Sequence, residues 1–581
     1  MTSATLKGAK WLAGAAGALV TAKLARDRLQ LSRAKHKGLA GHVRMAKRVS
    51  KLIPFYDFDR EQFFRVDGAP DDVVAAREAG FARLSALYHE RFPLTAAKSV
   101  EVRDSIPDVA FTGTYRVPFQ FSRVVREALP SGSFWQSSDG VMLTDLDGNR
   151  FYDLTGSYGV NLLGVDAYKA MVGEGIATTG PLGPVLGGLH PVVADNVARL
   201  KAISGMDGVS FHMSGTEAVM QAVRLAQYHT GRRRIVRFAG AYHGWWGDVQ
   251  PGIGNPVPAD NTLTLADMSE RTLAVLASRR DIACVLVNPL QAMHPNAGAP
   301  GDSALVDSSR KAGVDREGYA EWLTRLRDVC TARGIVMIVD EVFTGFRLAR
   351  RGACEYFGVT PDLVTYGKTL GGGLPVGVLC GRAHLMKRYR DDRPADICFA
   401  RGTFNSHPYV MGAMDAFLNW HGSEEADVVY DGLDAPWNAR AADLNMRLEG
   451  EGLSPRIANL GTVWTVSYTR PSRYNWMLQY YLREQGLALG WTGTGRFIFS
   501  FAYDDVAFTE VATRFMAAVR AFEADGWAWG EEGATDKALK RQLLKEMLGM
   551  RSGSTVGQAQ NRQSTWHAAC PRQEVKSAES T

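Results

Sequence analysis

The sequence predicts an α/β protein with its chemistry at the carboxyl ends of buried strands, and three segments carry that prediction. Ile335–Val342 (IVMIVDEV) is an apolar run of strand length that delivers Asp340 near its end. Tyr366–Gly373 (YGKTLGGG) delivers Lys368 into a glycine-rich turn. His212–Ala218 (HMSGTEA) follows a short strand-like run, Val209–Phe211, and opens a helix in which Val219, Ala222, Val223 and Ala226 recur at helical spacing. In α/β folds, ligands sit in the crevice above such strand ends.

Each element has a chemical reading. A lysine held opposite a carboxylate is what pyridoxal phosphate chemistry requires. The amine forms a Schiff base with the cofactor aldehyde, and the acid keeps the pyridine nitrogen protonated so that the ring accepts electrons. A Ser-Gly-Thr turn at a helix N-terminus points backbone N–H groups and hydroxyls at an anion. Alone it is an ordinary N-cap; ahead of the Asp strand and the Lys turn it reads as a phosphate cup. Downstream, Arg401–Asn405 (RGTFN) offers a further hydroxyl and amide for the same phosphate.

Taken in order, Ser214–Ala218, Tyr242–Gly244, Asp340–Val342, Gly367–Pro375 and Gly402–Phe404 resemble the motifs of the class III (fold-type I) pyridoxal phosphate aminotransferases. The resemblance covers residues 105–530 and is nearest to the glutamate-1-semialdehyde aminomutase branch, which includes aminotransferase domains embedded in polyketide and peptide synthases. It implies a large domain at 180–413 holding a mainly parallel seven-stranded sheet. It also implies a small α+β domain built from 105–179 and 414–530, with the cofactor between the two. Lys368 would be the Schiff-base lysine and proton shuttle, and Asp340 the partner of the pyridine nitrogen. Val342 and Tyr242 would flank the ring, and Ser214, Gly215 and Thr216 would hold the phosphate. Thr403 would reach the phosphate of the neighbouring subunit of a homodimer. Tyr242 has core packing as its plain alternative, and for His243 a structural hydrogen bond weighs as much as a chemical role.

One departure stands out. The family carries an acid after the strand that precedes the Asp strand. Here Ala283–Val287 runs into Asn288-Pro289-Leu290-Gln291, so Asn288 takes the acid's place. Gln291 is expected to hydrogen-bond the cofactor 3′-oxygen. For the substrate, Tyr158 in Gly156–Asn161 (GSYGVN) resembles the aromatic residue at the mouth of the aminomutase branch, while Trp245–Trp246 divide evenly between pocket and core. Arg496 lies in an alternating run, Gly495–Phe499. Its planar fork suits a substrate carboxylate, with an exposed surface position as the alternative. Pro289–Pro295 (PLQAMHP) is more similar to the synthase-embedded enzymes, which aminate a 3-oxoacyl thioester on a carrier protein. The expected function is therefore transfer of an amino group from a small-molecule amino donor to a keto or aldehyde acceptor, a 3-oxoacyl thioester or another lipid-like carbonyl. The alternatives are intramolecular amine transfer on glutamate-1-semialdehyde and a catalytically inactive scaffold. No metal is expected.

Composition bounds the rest. The 581 residues exceed one ordinary domain, and a 46% hydrophobic share supports substantial cores. The six cysteines show neither paired nor metal-type spacing, which reads as buried free thiols in a reducing compartment. Met1–Lys51 holds twelve Lys or Arg against a single acid, Asp27; this leader carries +11 where the whole chain carries +6, leaving −5 for the remainder. That balance argues against nucleic-acid binding by the body. Within the leader, Trp11–Val20 is too short to cross a bilayer. Followed by basic residues, it suits a basic amphipathic helix on an anionic membrane surface. The alternatives are a solvated basic helix, a signal or transit peptide, and a dock for an acidic acyl carrier protein. The expected location is cytoplasmic, at most peripheral at a membrane. Residues 52–104 read as a helical cap or linker, and 531–581 as a helix followed by a disordered Ser/Gln-rich tail.

Overall fold

The structure of the chain, a computed structural model, describes residues 3–549 apart from 37, 39–40, 133, 251, 258, 294–312 and 491–495. Three short strands come first: β1 (Trp135–Asp139), β2 (Met142–Asp145) and β3 (Arg150–Asp153), paired antiparallel in sequence order. Seven strands then build the large sheet: β4 (Gly208–His212), β5 (Arg234–Phe238), β6 (Thr262–Leu265), β7 (Ile282–Val287), β8 (Val336–Asp340), β9 (Leu363–Gly367) and β10 (Gly377–Gly381). Their spatial order is β4-β10-β9-β8-β7-β5-β6. β10 runs antiparallel to both of its neighbours, and the other adjacent pairs are parallel. The α/β class and the mainly parallel sheet are thus as expected.

β7 to β10 are buried at every position. A strand covered on both faces needs an unbroken apolar run rather than alternation, and IACVLV and VMIVD are such runs. The parallel crossovers bring the strand ends to one edge of the sheet. Ser214, Tyr242 and His243, Asn288, Asp340, and Lys368 follow or close β4, β5, β7, β8 and β9 in turn.

The remaining strands are β11 (Pro455–Leu460), β12 (Val463–Tyr468), β13 (Leu487–Ala488) and β14 (Arg496–Ile498). β11, β12 and β14 form an antiparallel sheet, while β13 adds in parallel to β3. The helix Val165–Thr179 lies along Pro408–His421 at backbone contact. A Cβ on Gly175 would come within 2.3 Å of the Ala413 nitrogen, so only glycine allows this approach.

The segment 52–104 packs as a cap. Phe63, Phe64 and Tyr88 share one core with Trp464, Trp476 and Trp527 from the carboxyl-terminal part. Arg77, on the helix Asp71–Arg91, is fully buried and stitches that core together. It donates to both Asp67 carboxylate oxygens at 2.9 and 2.8 Å, to Phe64 O at 2.7 Å and to Gly526 O at 3.0 Å, and stacks over Tyr474.

The leader is a helix, Ser3–Ala34, that docks by its last turn. Ala34 is buried against the flank of the large sheet, and its carbonyl accepts from Ala266 N at 2.8 Å. Leu19, Val20, Leu24 and Leu29 are exposed. Among the described residues, no helix is long and apolar enough to cross a membrane. At the other end, the helix Asp536–Gly549 docks through Glu546, which accepts from Tyr56 and Arg473, each at 2.7 Å. The Ser/Gln-rich tail lies outside the described residues.

Candidate active site

Asp340 closes β8 and is 5% exposed. Its Oδ2 accepts from Nδ1 of His243 at 2.8 Å, and its Oδ1 accepts from Thr365 Oγ1 and from Val342 N, each at 3.2 Å. Thr365 faces it because Asp340 and Thr365 are register partners across β8 and β9. A carboxylate only accepts, so the proton of this contact is assigned to His243 Nδ1. His243 Nε2 is then left buried without a partner.

Lys368 opens a 3-10 turn after β9 with a left-handed backbone, φ 51°. Its Nζ donates to the Tyr158 carbonyl and stands 5.0 Å from the centre of the Phe343 ring. Burial pulls its pKa down to about 8; Arg347 and Arg496 push the same way, and Asp340 opposes them.

The third element is the amino end of the helix Gly215–Thr230. Ser214 caps it by accepting from Glu217 N at 3.3 Å, and Glu217 reaches back to Met213 N at 2.9 Å. The amides of Gly215 and Thr216 remain as donors at this helix end. Two glycines keep the surroundings tight. A Cβ on Gly215 would stand 2.5 Å from Val342 Cγ1, and one on Gly244, at φ 92°, would stand 2.5 Å from Thr216 Oγ1.

Asp340, Lys368 and the helix end face one cavity of about 780 Å³. Its walls include Lys368, Asp340, Val342, Tyr242, His243 and the Ser214-Gly215-Thr216 turn, together with Tyr158, Asn288 and Arg496. Arg496, for which an exposed surface position was the alternative, is buried in β14 and lines the cavity. Asn288 holds the wall together: its Nδ2 donates to the Tyr242 carbonyl at 2.7 Å and its Oδ1 accepts from Leu290 N at 3.2 Å. A carboxylate at this position has no donor for that carbonyl, which gives the substitution of the expected acid a physical reason.

Gln291, Thr403 and the Trp245-Trp246 pair do not line this cavity. Gln291 lies in the turn Pro289–Met293, which directs its Nε2 to the Ala239 carbonyl at 2.7 Å and not into the cavity. Thr403 is exposed and does not line the cavity of its own chain. Trp245 is 72% exposed and Trp246 packs beside Val249, so neither forms a wall.

Two contributors escaped the sequence reading. Phe343 follows the Asp strand and walls the cavity beside Lys368. Arg347, fully buried, donates to Thr462 Oγ1 at 2.8 Å, Phe499 O at 2.9 Å, Gly159 O at 3.3 Å and Asn161 O at 3.2 Å. It thereby pins the turn that presents Tyr158. The lone arginine in the apolar run FTGFRLA was the available signal.

Comparison with known proteins places the chain in a family. The family model for aminotransferase class-III matches residues 125–519. The glutamate-1-semialdehyde 2,1-aminomutase of Geotalea daltonii is 33% identical over 380 residues, 61% of this chain and 80% of that protein. A solved structure described as a transaminase with PLP bound superposes with a TM-score of 0.59 at 26% identity, covering 75% of this chain and 99% of the other. The β-phenylalanine aminotransferase of Variovorax paradoxus, at 23% identity, gives 0.62 over 77% of this chain and 98% of its own, a likeness of fold. The donor set fits pyridoxal phosphate: an amine with a lowered pKa, a buried carboxylate and a helix N-terminus meet in one cavity large enough for a cofactor. The chain belongs to the class III aminotransferases and is a fold-type I, pyridoxal phosphate-dependent enzyme.

Proposed function

We propose that the chain is a transaminase that works in two half-reactions, taking nitrogen from an amino donor and giving it to a keto or aldehyde acceptor with a lipid-like chain. The observation that carries this reading is the placement of Lys368 and Asp340 in one cavity that Arg496 also lines. Bound pyridoxal phosphate supplies an aldehyde that takes up the amino group and a ring that withdraws electrons. Asp340, oriented by His243, Thr365 and the Val342 amide, would hold the ring nitrogen. The Gly215 and Thr216 amides and the Ser214 hydroxyl would hold the phosphate at the positive end of the helix. Val342 and Tyr242 would bracket the ring.

Lys368 Nζ moves the proton at the substrate α-carbon. A pKa of about 8 suits that task, because near neutrality the amine exchanges protons readily in both directions. Arg496 offers a cation for the carboxylate of an amino acid donor or keto acid product. The exposed Thr403 belongs, in this reading, to the neighbouring site of a homodimer.

The aminomutase relative sets the competing reading, in which the amine moves within glutamate-1-semialdehyde. Product analysis separates the two. The transaminase reading expects one keto acid released per amine formed, and strict dependence on a donor. Amine transfer on glutamate-1-semialdehyde with no donor and no keto acid would replace it with the aminomutase reading.

A further inference from the structure

Beside the catalytic cavity lies a second cavity of about 580 Å³, and Tyr158 lines both. Ser157 and Tyr158 are held in left-handed backbone, φ 46° and 56°, a conformation that side-chain-bearing residues seldom adopt. The Tyr158 carbonyl takes the Lys368 hydrogen bond, while its ring packs on Gly490, a residue of the second cavity's wall. One strained tyrosine therefore separates the reacting amine from the adjoining space.

Much of the wall of that space lies outside the family match. Two helices, Pro93–Arg103 and Pro107–Tyr115, form much of it, and both precede residue 125, where the family match begins. Apolar side chains dominate, among them Val100, Ile106, Val109, Val125 and Leu129. Four arginines join them, Arg103, Arg116, Arg126 and Arg483, and among the described residues no Asp or Glu lines the cavity.

Arg483 is the most telling of the four. It is 8% exposed, and its guanidinium is packed over the rings of Phe92, Phe151 and Trp135 at 4.7, 4.9 and 5.8 Å. Its Nε and Nη2 are buried with no hydrogen-bond partner among the described residues. Burial disfavours its charge most; Tyr88 and Asp145 favour it, Arg116 and Arg91 oppose it, and Asp147 feels its charge as well. Asp145 is already engaged by Asn149 and by the amides of Asp147 and Asn149. Nearby, Arg126 donates only to the neutral hydroxyls of Thr114 and Ser122. A buried cation without a direct ion-pair partner is costly, and an incoming anion relieves that cost.

We propose that the second cavity receives the distal part of the transaminase substrate, an apolar chain ending in an anionic group, with Arg483 as its charge anchor. The proposal rests on the transaminase reading above and adds the substrate class. Tyr158 is then the divider over which the chain passes from the reacting carbon to the cavity.

The test uses the holoenzyme and terminal amines of one chain length: dodecylamine, which is uncharged at its far end, and 12-aminododecanoate, with propylamine as the short reference. Half-reaction rates are followed by the cofactor spectrum. The ω-carboxylate is expected to be preferred over dodecylamine by about tenfold in kcat/KM, the scale of one charge-assisted contact. Arg483→Met should erase that preference, chiefly through KM. Val109→Trp, which fills the cavity, should erase the preference of dodecylamine over propylamine. A preference that survives both substitutions, or none in the wild type, overturns the proposal.

A second measurement does not need turnover. Dodecanoate should bind wild-type holoenzyme in calorimetry and bind Arg483→Met about tenfold more weakly. Binding with an inert amine panel would sink the transaminase reading alone, while conversion of propylamine with no dodecanoate binding would sink the cavity assignment alone.

Discussion

His243 Nδ1 stands 2.8 Å from Asp340 Oδ2, and both residues are buried. The pair comes from two strands: Asp340 closes β8, and His243 follows β5, so the contact exists only because the parallel sheet brings both ends to one edge. It fixes the carboxylate that the account assigns to the cofactor ring. His243→Ala removes that donor and leaves Thr365 and the Val342 amide in place. Cofactor affinity should fall roughly tenfold to a hundredfold, the scale of a lost charge-assisted hydrogen bond, with little change in the far-ultraviolet spectrum. Equilibrium dialysis against pyridoxal phosphate measures this directly; an unchanged dissociation constant would show that the pair is not a positioning device.

Asn288→Asp is nearly isosteric but replaces the amide donor 2.7 Å from the Tyr242 carbonyl with an acceptor. The resulting oxygen–oxygen contact should displace Tyr242 and weaken cofactor binding by about 1–3 kcal/mol. The same dialysis experiment reads the loss. Tighter binding by the aspartate variant would mean that the position prefers the acid after all.

The lowered pKa of Lys368 gives a pH prediction for the cofactor-free enzyme. With a pKa near 8, the neutral amine gains population as pH rises through 8 rather than through the ordinary lysine value of 10.5. Modification of Lys368 by an amine-directed reagent should therefore reach half its maximal rate near pH 8. Removing a neighbouring cation favours the protonated amine, so Arg496→Met should move that midpoint upward. A midpoint that stays in place, or moves down, contradicts the charge arrangement. Mass spectrometry of the modified peptide assigns the site.

Arg77 predicts that the segment 52–104 is part of the folded enzyme and not a dispensable linker. Arg77→Ala leaves the largely buried Asp67 without its bidentate partner and two backbone carbonyls without a donor. The expected cost is about 3–5 kcal/mol, readable as a lower midpoint in urea. A variant as stable as the parent would show that the cap contributes little.

Much of this site was legible because its parts are local. Asp340 is marked by the apolar strand before it, Lys368 by the glycines after it, and Ser214 by its position between a strand and an apolar helix face. The apolar runs Val209–Phe211, Ala283–Val287 and Ile335–Val339 likewise point to the α/β class. What was not legible depends on pairs remote in sequence. Arg347 bonds residues 115 to 188 positions away, so its apolar flanks hint at burial but cannot name its partners. Thr365 meets Asp340 only through strand register. Arg496 is buried by the pairing of β14 with β12, which a three-residue strand barely signals. Gln291 was expected to hydrogen-bond the cofactor 3′-oxygen; the turn at Pro289–Met293 directs its amide nitrogen to the Ala239 carbonyl.

The most direct test of the central claim is an absorbance titration of the purified holoenzyme with a panel of amino donors, run beside Lys368→Ala. The visible band of the lysine-bound cofactor should be lost on adding a competent donor, an equivalent of keto acid should appear, and Lys368→Ala should show neither change while retaining its fold. Turnover at the wild-type rate by Lys368→Ala, or a wild-type protein that takes up no pyridoxal phosphate at all, would contradict it.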